Sequence, residues 1–230
     1  MEKGIVYGVG VGPGDPELMT LKAVRLIREA PVIAVPGERA EESTAYRIAA
    51  AAVPELADKE LLALPAPMTR DRARMAEAHR RGAALLADQL DRGRSVVCLT
   101  LGDPTVYSTF SYYQHILEAE GYTVKLVSGV PSFCAAAARL GRSLTEWDQP
   151  LHVLPAAHGL GDALSLPGTC VLMKSGGSMP AVKEQLLRSG RQVGAVENCG
   201  MAGERVYGSA EEIPDDAGYF TLAAAWPTRD

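Results

Sequence analysis

The stretch Thr100-Leu101-Gly102-Asp103-Pro104-Thr105-Val106-Tyr107 decides how this chain is read. It follows the apolar run Ser95-Val96-Val97-Cys98-Leu99, whose length and two valines predict a buried strand. Apolar and aromatic residues then recur at helical spacing (Val106, Phe110, Tyr113, Leu117), which predicts a helix over 106–120. Gly102-Asp103-Pro104 is therefore read as a turn that leaves the carboxyl end of a strand and enters a helix. In open α/β sheets ligands bind at that place. Glycine removes the Cβ and lets a ligand lie against the backbone, and the first helical amides point outward unpaired. A plainer reading stands beside it: Asp is a preferred N-cap and Pro a preferred first helical residue, so the pair starts a helix and nothing more.

Upstream, Ile5 to Val11 reads as a strand that dissolves into Gly8, Gly10, Gly12 and Gly14, followed by Asp15-Pro16 and a helix carrying Leu18, Leu21, Val24 and Ile27 on one side. The loop looks like a nucleotide loop but fails the dinucleotide count. G-x-G-x-x-G begun at Gly8 ends on Pro13, and begun at Gly10 it ends on Asp15. No Walker lysine is present either. Asp15 at a helix start suits a cationic or neutral ligand better than an anion; a glycine turn that merely permits close strand–helix packing is the competing reading.

Strands are further predicted at 32–35, 61–64 and 123–127, and helices at 42–53 and 70–91. Arg70, Arg72, Arg74, Arg80 and Arg81 decorate the last of these, as a solvated face or as an anion site. Strands alternating with helices imply a parallel sheet. Ser128-Gly129-Val130-Pro131 reads as a domain boundary, giving an N-terminal α/β domain over 1–127 and a C-terminal one over 128–230. Beyond it come a small-residue helix over 132–140, strands at 151–154, 169–173, 192–197, 205–207 and 219–225, and a helix at 179–188. The close spacing of the late strands implies a mixed sheet.

At 230 residues, 47% hydrophobic and 22% charged, the composition is that of a globular chain with ample core. A net charge of −5 argues against a general nucleic-acid binder. Cys98, Cys134, Cys170 and Cys199 form no C-x-x-C pair, and H-E-x-x-H is absent, so no metal site is expected and four buried thiols are. Without a signal-peptide hydrophobic region or a membrane-length apolar run, a cytoplasmic protein with no membrane partner is expected. None of His79, His115, His152 and His158 sits in a matched motif, which favours surface or structural roles for them.

Several separated motifs together resemble one family, the tetrapyrrole methylases, and the resemblance runs from Val6 to about Ala224. Gly10-Val11-Gly12-Pro13-Gly14-Asp15-Pro16-Glu17-Leu18 is similar to the family's first loop, Leu101-Gly102-Asp103-Pro104 to its second and Gly129-Val130-Pro131-Ser132 to its third. Val171-Leu172-Met173-Lys174 and Glu197-Asn198 fall where the later cofactor-contacting segments lie. Within the family, 102–110, 130–136 and 200–206 look most like the branch that methylates C20 of precorrin-2. Two departures are Ala30-Pro31-Val32 in place of Ala-Asp-Val, and Ser175-Gly176-Gly177 after the Met-Lys pair, the second of which bears on one wall of the pocket.

What the resemblance implies is a two-domain α/β fold, with a mainly parallel N-terminal sheet, a mixed C-terminal sheet and S-adenosylmethionine in the cleft between them. It implies methyl transfer to C20 of precorrin-2 or cobalt-precorrin-2, and a homodimer. Cofactor contacts are implied for Pro13, Leu101, Gly102, Asp103, Val106, Ser132, Phe133, Met173, Gly200 and Thr221. Substrate carboxylates would meet Arg39, Arg142 and Lys174, each of which is equally an ordinary surface cation. Asp103 and Tyr107 are the candidates for a catalytic part: Asp103 either pairs with the ligand's amino group or only caps, and Tyr107 either orients the macrocycle or packs at a helix start. Met173 is equally a core methionine. The alternatives are a sister methylase acting on another ring carbon, a non-catalytic S-adenosylmethionine-binding module, and a plain nucleotide-binding α/β protein.

Overall fold

The computed structural model describes residues 2–67, 69, 71–156, 160–175 and 178–228. The sequence readings that fall on Arg70, His158, Gly176 and Gly177 lie outside the described residues. The chain divides into two compact units, Met1–Pro131 and Ser132–Asp230.

The first unit is a five-stranded sheet with helices on both faces. Its strands are β1 (Ile5–Gly10), β2 (Val32–Pro36), β3 (Glu60–Leu64), β4 (Val96–Thr100) and β5 (Thr123–Val127); its helices are α1 (Leu21–Glu29), α2 (Thr44–Ala52), α3 (Arg72–Asp91) and α4 (Phe110–Ala119). The strands lie in the order β3-β2-β4-β1-β5, and every neighbouring pair is parallel. Side chains alternate across the sheet. Val9, Ile33, Val35, Val97 and Leu99 pack with α1 and α2 on one face. Val6, Val32, Ala34, Val96 and Cys98 pack with α3 and α4 on the other. Burial on both faces is why β4 is apolar at almost every position, not at alternate ones.

The second unit holds α5 (Ser132–Arg139), β6 (Leu151–Pro155), β7 (Thr169–Met173), α6 (Met179–Arg188), β8 (Gln192–Glu197), β9 (Arg205–Tyr207) and β10 (Thr221–Trp226). Its strand order is β6-β7-β10-β8-β9. Only β6 and β7 are parallel; β10 runs antiparallel to both β7 and β8, and β9 to β8, so the sheet is mixed. The expected α/β class with one parallel and one mixed sheet is what the chain adopts.

Two expectations are corrected. The helix read over 106–120 begins at Phe110, because Tyr107 takes a left-handed backbone (φ 48°) that ends any helix entering from Val106. The first turn of α4 is instead served by Ser108, whose Oγ accepts from the Phe110 N–H at 3.1 Å and bonds Thr100 Oγ1 at 2.7 Å. The second correction concerns the thiols. None of the four is joined in a disulfide, and Cys98, Cys170 and Cys199 are buried, but Cys134 is exposed because α5 buries Ala135, Ala136 and Ala137.

Gly8 shows why one glycine of the first loop is there for packing. It lies mid-strand in β1, and a Cβ at that position would run into the ring of Phe110, whose Cζ would stand 2.8 Å away. Gly8→Ala is therefore expected to destabilise the protein by about 1–3 kcal/mol through overpacking. A urea melt should show Phe110→Leu recovering part of that loss when combined with it; simple additivity would contradict the contact.

Candidate functional site

β1 and β4 lie side by side, yet their crossovers leave in opposite directions. The chain passes from β1 through α1 to β2 on one side, and from β4 through α4 to β5 on the other. Their carboxyl ends thus form a topological switch point, where an open parallel sheet leaves a crevice for a ligand. Both glycine bends emerge there. An antiparallel bridge joins Gly12 and Gly102: Gly102 N–H donates to Gly12 O at 2.8 Å, and Gly12 N–H to Gly102 O at 3.3 Å. Gly12 and Gly102 both have positive φ (77° and 70°), which glycine adopts without strain. A Cβ on Gly10 or on Gly129 would collide with the Gly102 carbonyl oxygen. The loops after β4, β1 and β5 therefore meet backbone to backbone.

Asp103 holds the arrangement. It is 7% exposed. Its Oδ2 accepts from Gly129 N–H at 3.0 Å, and its Oδ1 accepts from Thr105 N–H at 2.8 Å and from the Thr105 hydroxyl. A carboxylate taken from water needs such donors, and here they tie the β4 loop to the β5 loop across β1. Asp103 is thus neither the cap of α4 nor a bare acid. Thr20 adds a second tie, capping α1 by accepting from Ala23 N–H at 3.2 Å while donating to Ser128 O at 3.5 Å.

The second unit has a comparable end, formed by the carboxyl ends of β7 and β8 and the start of β10, where Thr221 pairs with Glu197. Ser175 Oγ donates to Thr221 O at 3.2 Å. Thr221 is buried, and its hydroxyl has no hydrogen-bond partner among the described residues. Glu197, also buried, accepts from the Tyr207 hydroxyl at 2.9 Å and from Gly218 N–H at 2.7 Å. Lys174 and Asn198 both have left-handed backbones (φ 58° and 52°), so the chain turns sharply as it leaves each strand. Lys174 is half-buried, and desolvation holds its amine below the usual lysine range.

Among the residues expected from the sequence, the first unit brings together Pro13, Leu101, Gly102, Asp103 and Val106 at the bridged bends. Tyr107 follows them and is 44% exposed, not packed at a helix start. Arg39 lies past the carboxyl end of β2, exposed and ion-paired with Glu42 at 2.6 Å. In the second unit Met173, Lys174 and Thr221 share one end of the sheet, Gly200 lies in the loop after β8, and Ser132 and Phe133 open α5. Arg142 is elsewhere: its guanidinium lies 4.2 Å over the ring of Trp226, at the opposite end of β10 from Thr221. His79 stacks on Tyr112 with centroids 4.2 Å apart, and His152 bonds Pro167 O, so both serve the fold. Sequence reasoning did not single out Gly10, Gly129 and Glu197 as site residues. All three stand in motifs already quoted, Glu197 in the Glu197-Asn198 segment, where it is an acid closing an apolar strand.

Among the described residues no group of three or more His, Cys, Asp or Glu side chains converges on a metal-sized site, and no helix is long and apolar enough to cross a membrane.

Residues 5–214 match the family of tetrapyrrole (corrin/porphyrin) methylases. The chain is 34% identical over 223 residues, 95% of its length and 94% of the other's, to a protein of Methanocaldococcus jannaschii named "Probable cobalt-precorrin-2 C(20)-methyltransferase". It is 31% identical over 95% of its length to the precorrin-2 C(20)-methyltransferase of a Sinorhizobium species, covering 94% of that chain. A crystal structure of uroporphyrin-III C-methyltransferase from Thermus thermophilus, complexed with S-adenosylhomocysteine, superposes with a TM-score of 0.68 at 27% identity, covering 97% of each chain. The chain belongs to the tetrapyrrole methylase family.

The loop at Gly200 yields a pH prediction. Glu204 Oε2 accepts from Gly200 N–H at 2.7 Å, and Arg139 binds its other oxygen; these two partners, the amide first, hold its carboxyl below the usual value of 4.5. A depressed folded pKa means the stabilisation is complete above the unfolded value and is lost as pH falls through the folded one. Thermal melts should show Glu204→Gln less stable than wild type at neutral pH, with the gap closing on acidification. A gap that widened in acid would contradict the assignment.

Proposed function

We propose that this chain transfers a methyl group from S-adenosylmethionine to C20 of precorrin-2, or of its cobalt complex, in cobalamin biosynthesis. The observation that carries the reading is the near-full-length likeness to two relatives, each named for that reaction and each covered over 94% of its own length.

The residues present suit the cofactor. Gly12 and Gly102, bridged to each other at positive φ, open the bends that also carry Pro13 and Leu101, so a ligand can lie close to the backbone there. The orphaned Thr221 hydroxyl, which a buried position makes costly to leave unpaired, has a donor and an acceptor to give a polar ligand. Val106, Ser132, Phe133, Met173 and Gly200 complete the proposed contacts. When bound, S-adenosylmethionine supplies a methyl already activated by its sulfonium, so the chain owes the reaction no covalent nucleophile.

The protein's own share is orientation and exclusion of water, which together are worth about 7–11 kcal/mol when the reacting atoms are held in line. In this reading Asp103 acts by fixing the loops, and Tyr107 orients the macrocycle. Lys174, half-buried just past the end of β7, is assigned one substrate carboxylate, and Arg39 another at the rim. Arg142, over Trp226, is assigned to the fold. The reading also includes a homodimer working in the cytoplasm without membrane or nucleic-acid partners. The family resemblance favours the dimer, and the net charge of −5 disfavours nucleic acid.

Anaerobic incubation of the protein with S-adenosylmethionine and precorrin-2, and separately with its cobalt complex, should give one added methyl at C20 by NMR. Methylation at another ring carbon, or none, would contradict the proposal. Thr221→Val gives a second test. It is expected to leave the melting temperature unchanged or raised, since it removes an unpaired buried hydroxyl, while weakening S-adenosylhomocysteine binding about tenfold by calorimetry. Undiminished binding would remove Thr221 from the site.

A further inference from the structure

The turn leading into β10 carries two aromatic rings that the function proposed above does not use. Tyr219 and Phe220 are 50% and 38% exposed, and their rings meet edge to face with centroids 5.3 Å apart at 76°. Apolar rings held in water by a folded turn forgo the gain of burial until something covers them.

The turn itself is tied down at several points. Gly218 N–H donates to Glu197 Oε1 at 2.7 Å, Asn198 N–H to Phe220 O at 3.2 Å, and Thr221 N–H to Gly218 O at 3.1 Å. The other oxygen of Glu197 accepts from the Tyr207 hydroxyl, so this buried carboxylate is braced from β9 while it grips the turn. A Cβ on Gly218 would stand 2.9 Å from Glu197 Oε1, so a larger residue there would have to displace that carboxylate. Thr221, the next residue after the rings, points its hydroxyl into the interior. The ligand that Thr221 serves and the one that the rings serve therefore differ. The first meets a buried hydroxyl with a polar group; the second is flat and wide enough to cover two exposed rings.

We infer that the Tyr219–Phe220 pair is the surface on which the flat tetrapyrrole rests, with Glu197 the positioning residue that holds their turn in place. The inference rests on the tetrapyrrole reading above and names the residues that recognise that substrate. A macrocycle has broad apolar faces and a charged rim, so aromatic edges and faces suit its plane. Lys174 suits its carboxylates, and it precedes Ser175, which is bonded to the carbonyl of Thr221 at the same end of the sheet.

The experiment uses sirohydrochlorin, the oxidised form of precorrin-2, as a stable probe followed by its absorbance, with S-adenosylhomocysteine binding measured in parallel by calorimetry. The double variant Tyr219→Leu/Phe220→Leu, which keeps apolar bulk but loses the rings, is expected to bind sirohydrochlorin about tenfold more weakly, with S-adenosylhomocysteine affinity unchanged within about twofold. Glu197→Ala is expected to raise KM for the tetrapyrrole with little change in kcat, and Glu197→Gln, which keeps an oxygen for the Gly218 amide, to restore it. Undiminished sirohydrochlorin binding by the double variant overturns the inference while leaving the functional reading intact. Loss of S-adenosylhomocysteine binding in its place, or a change in oligomeric state alone, also overturns it. Glu197→Gln as impaired as Glu197→Ala removes the positioning role, and if Glu197→Ala does not fold, the double variant decides. A wild-type protein that binds no sirohydrochlorin overturns both the functional reading and the inference.

Discussion

Gly10, Gly102 and Gly129 meet where β1, β4 and β5 end, and only hydrogen fits between their backbones. The sheet order makes this contact possible, because β1 lies between β4 and β5 with all three pointing the same way. The contact in turn fixes what the loops can become. Bends that touch through backbone alone let a ligand lie close against the main chain. The Gly12–Gly102 bridge extends the sheet's pairing into those bends, and Asp103 closes the third side by gripping Gly129. Hydrogen bonds to a charged acceptor are worth about 1.5–3 kcal/mol each, enough to keep short loops in one conformation.

The second unit solves a similar problem with different topology. Its sheet is mixed, so there is no parallel switch point, yet a buried acid, here the last residue of a strand, again accepts from the amide of a glycine in a later loop. Glu197 does for Gly218 what Asp103 does for Gly129. In each unit a carboxylate that would be costly to bury is satisfied by loop amides, and loop order is the return on that cost. The chemistry proposed for the chain suits this division of labour, since an activated methyl needs alignment more than it needs acids or nucleophiles.

The inner strands β2 and β4 were plain in the sequence because both faces of the sheet are covered there, which turns each into an apolar run such as 32–35 or 96–99, whereas the outer strand β5 keeps Thr123 and Lys125. The strands 169–173 and 192–197 were plain for the same reason. The start of α4 was not, because the helical spacing continues back to Val106 and nothing in local propensity marks Tyr107 as left-handed. Gly8 and Gly10 look alike in a glycine-rich loop, and only the position of Phe110 separates a packing glycine from one at the site. Asp103 was visible as a candidate, but its partner Gly129 lies 26 residues away, beyond any cap rule. Arg142 stands near the third loop in sequence, but its partner Trp226 lies at the far end of β10 from Thr221, a placement that no local pattern announces.

In the proposed function the braced glycine bends are a preformed cofactor surface. The most direct measurement is a calorimetric titration of S-adenosylhomocysteine into wild type and Asp103→Ala, with hydrogen exchange followed at the Gly129 amide. The account expects Asp103→Ala to stay folded, to exchange faster at Gly129 and to bind at least about tenfold more weakly, because the released loops must be ordered on binding. Fast exchange at Gly129 with undiminished affinity would contradict it.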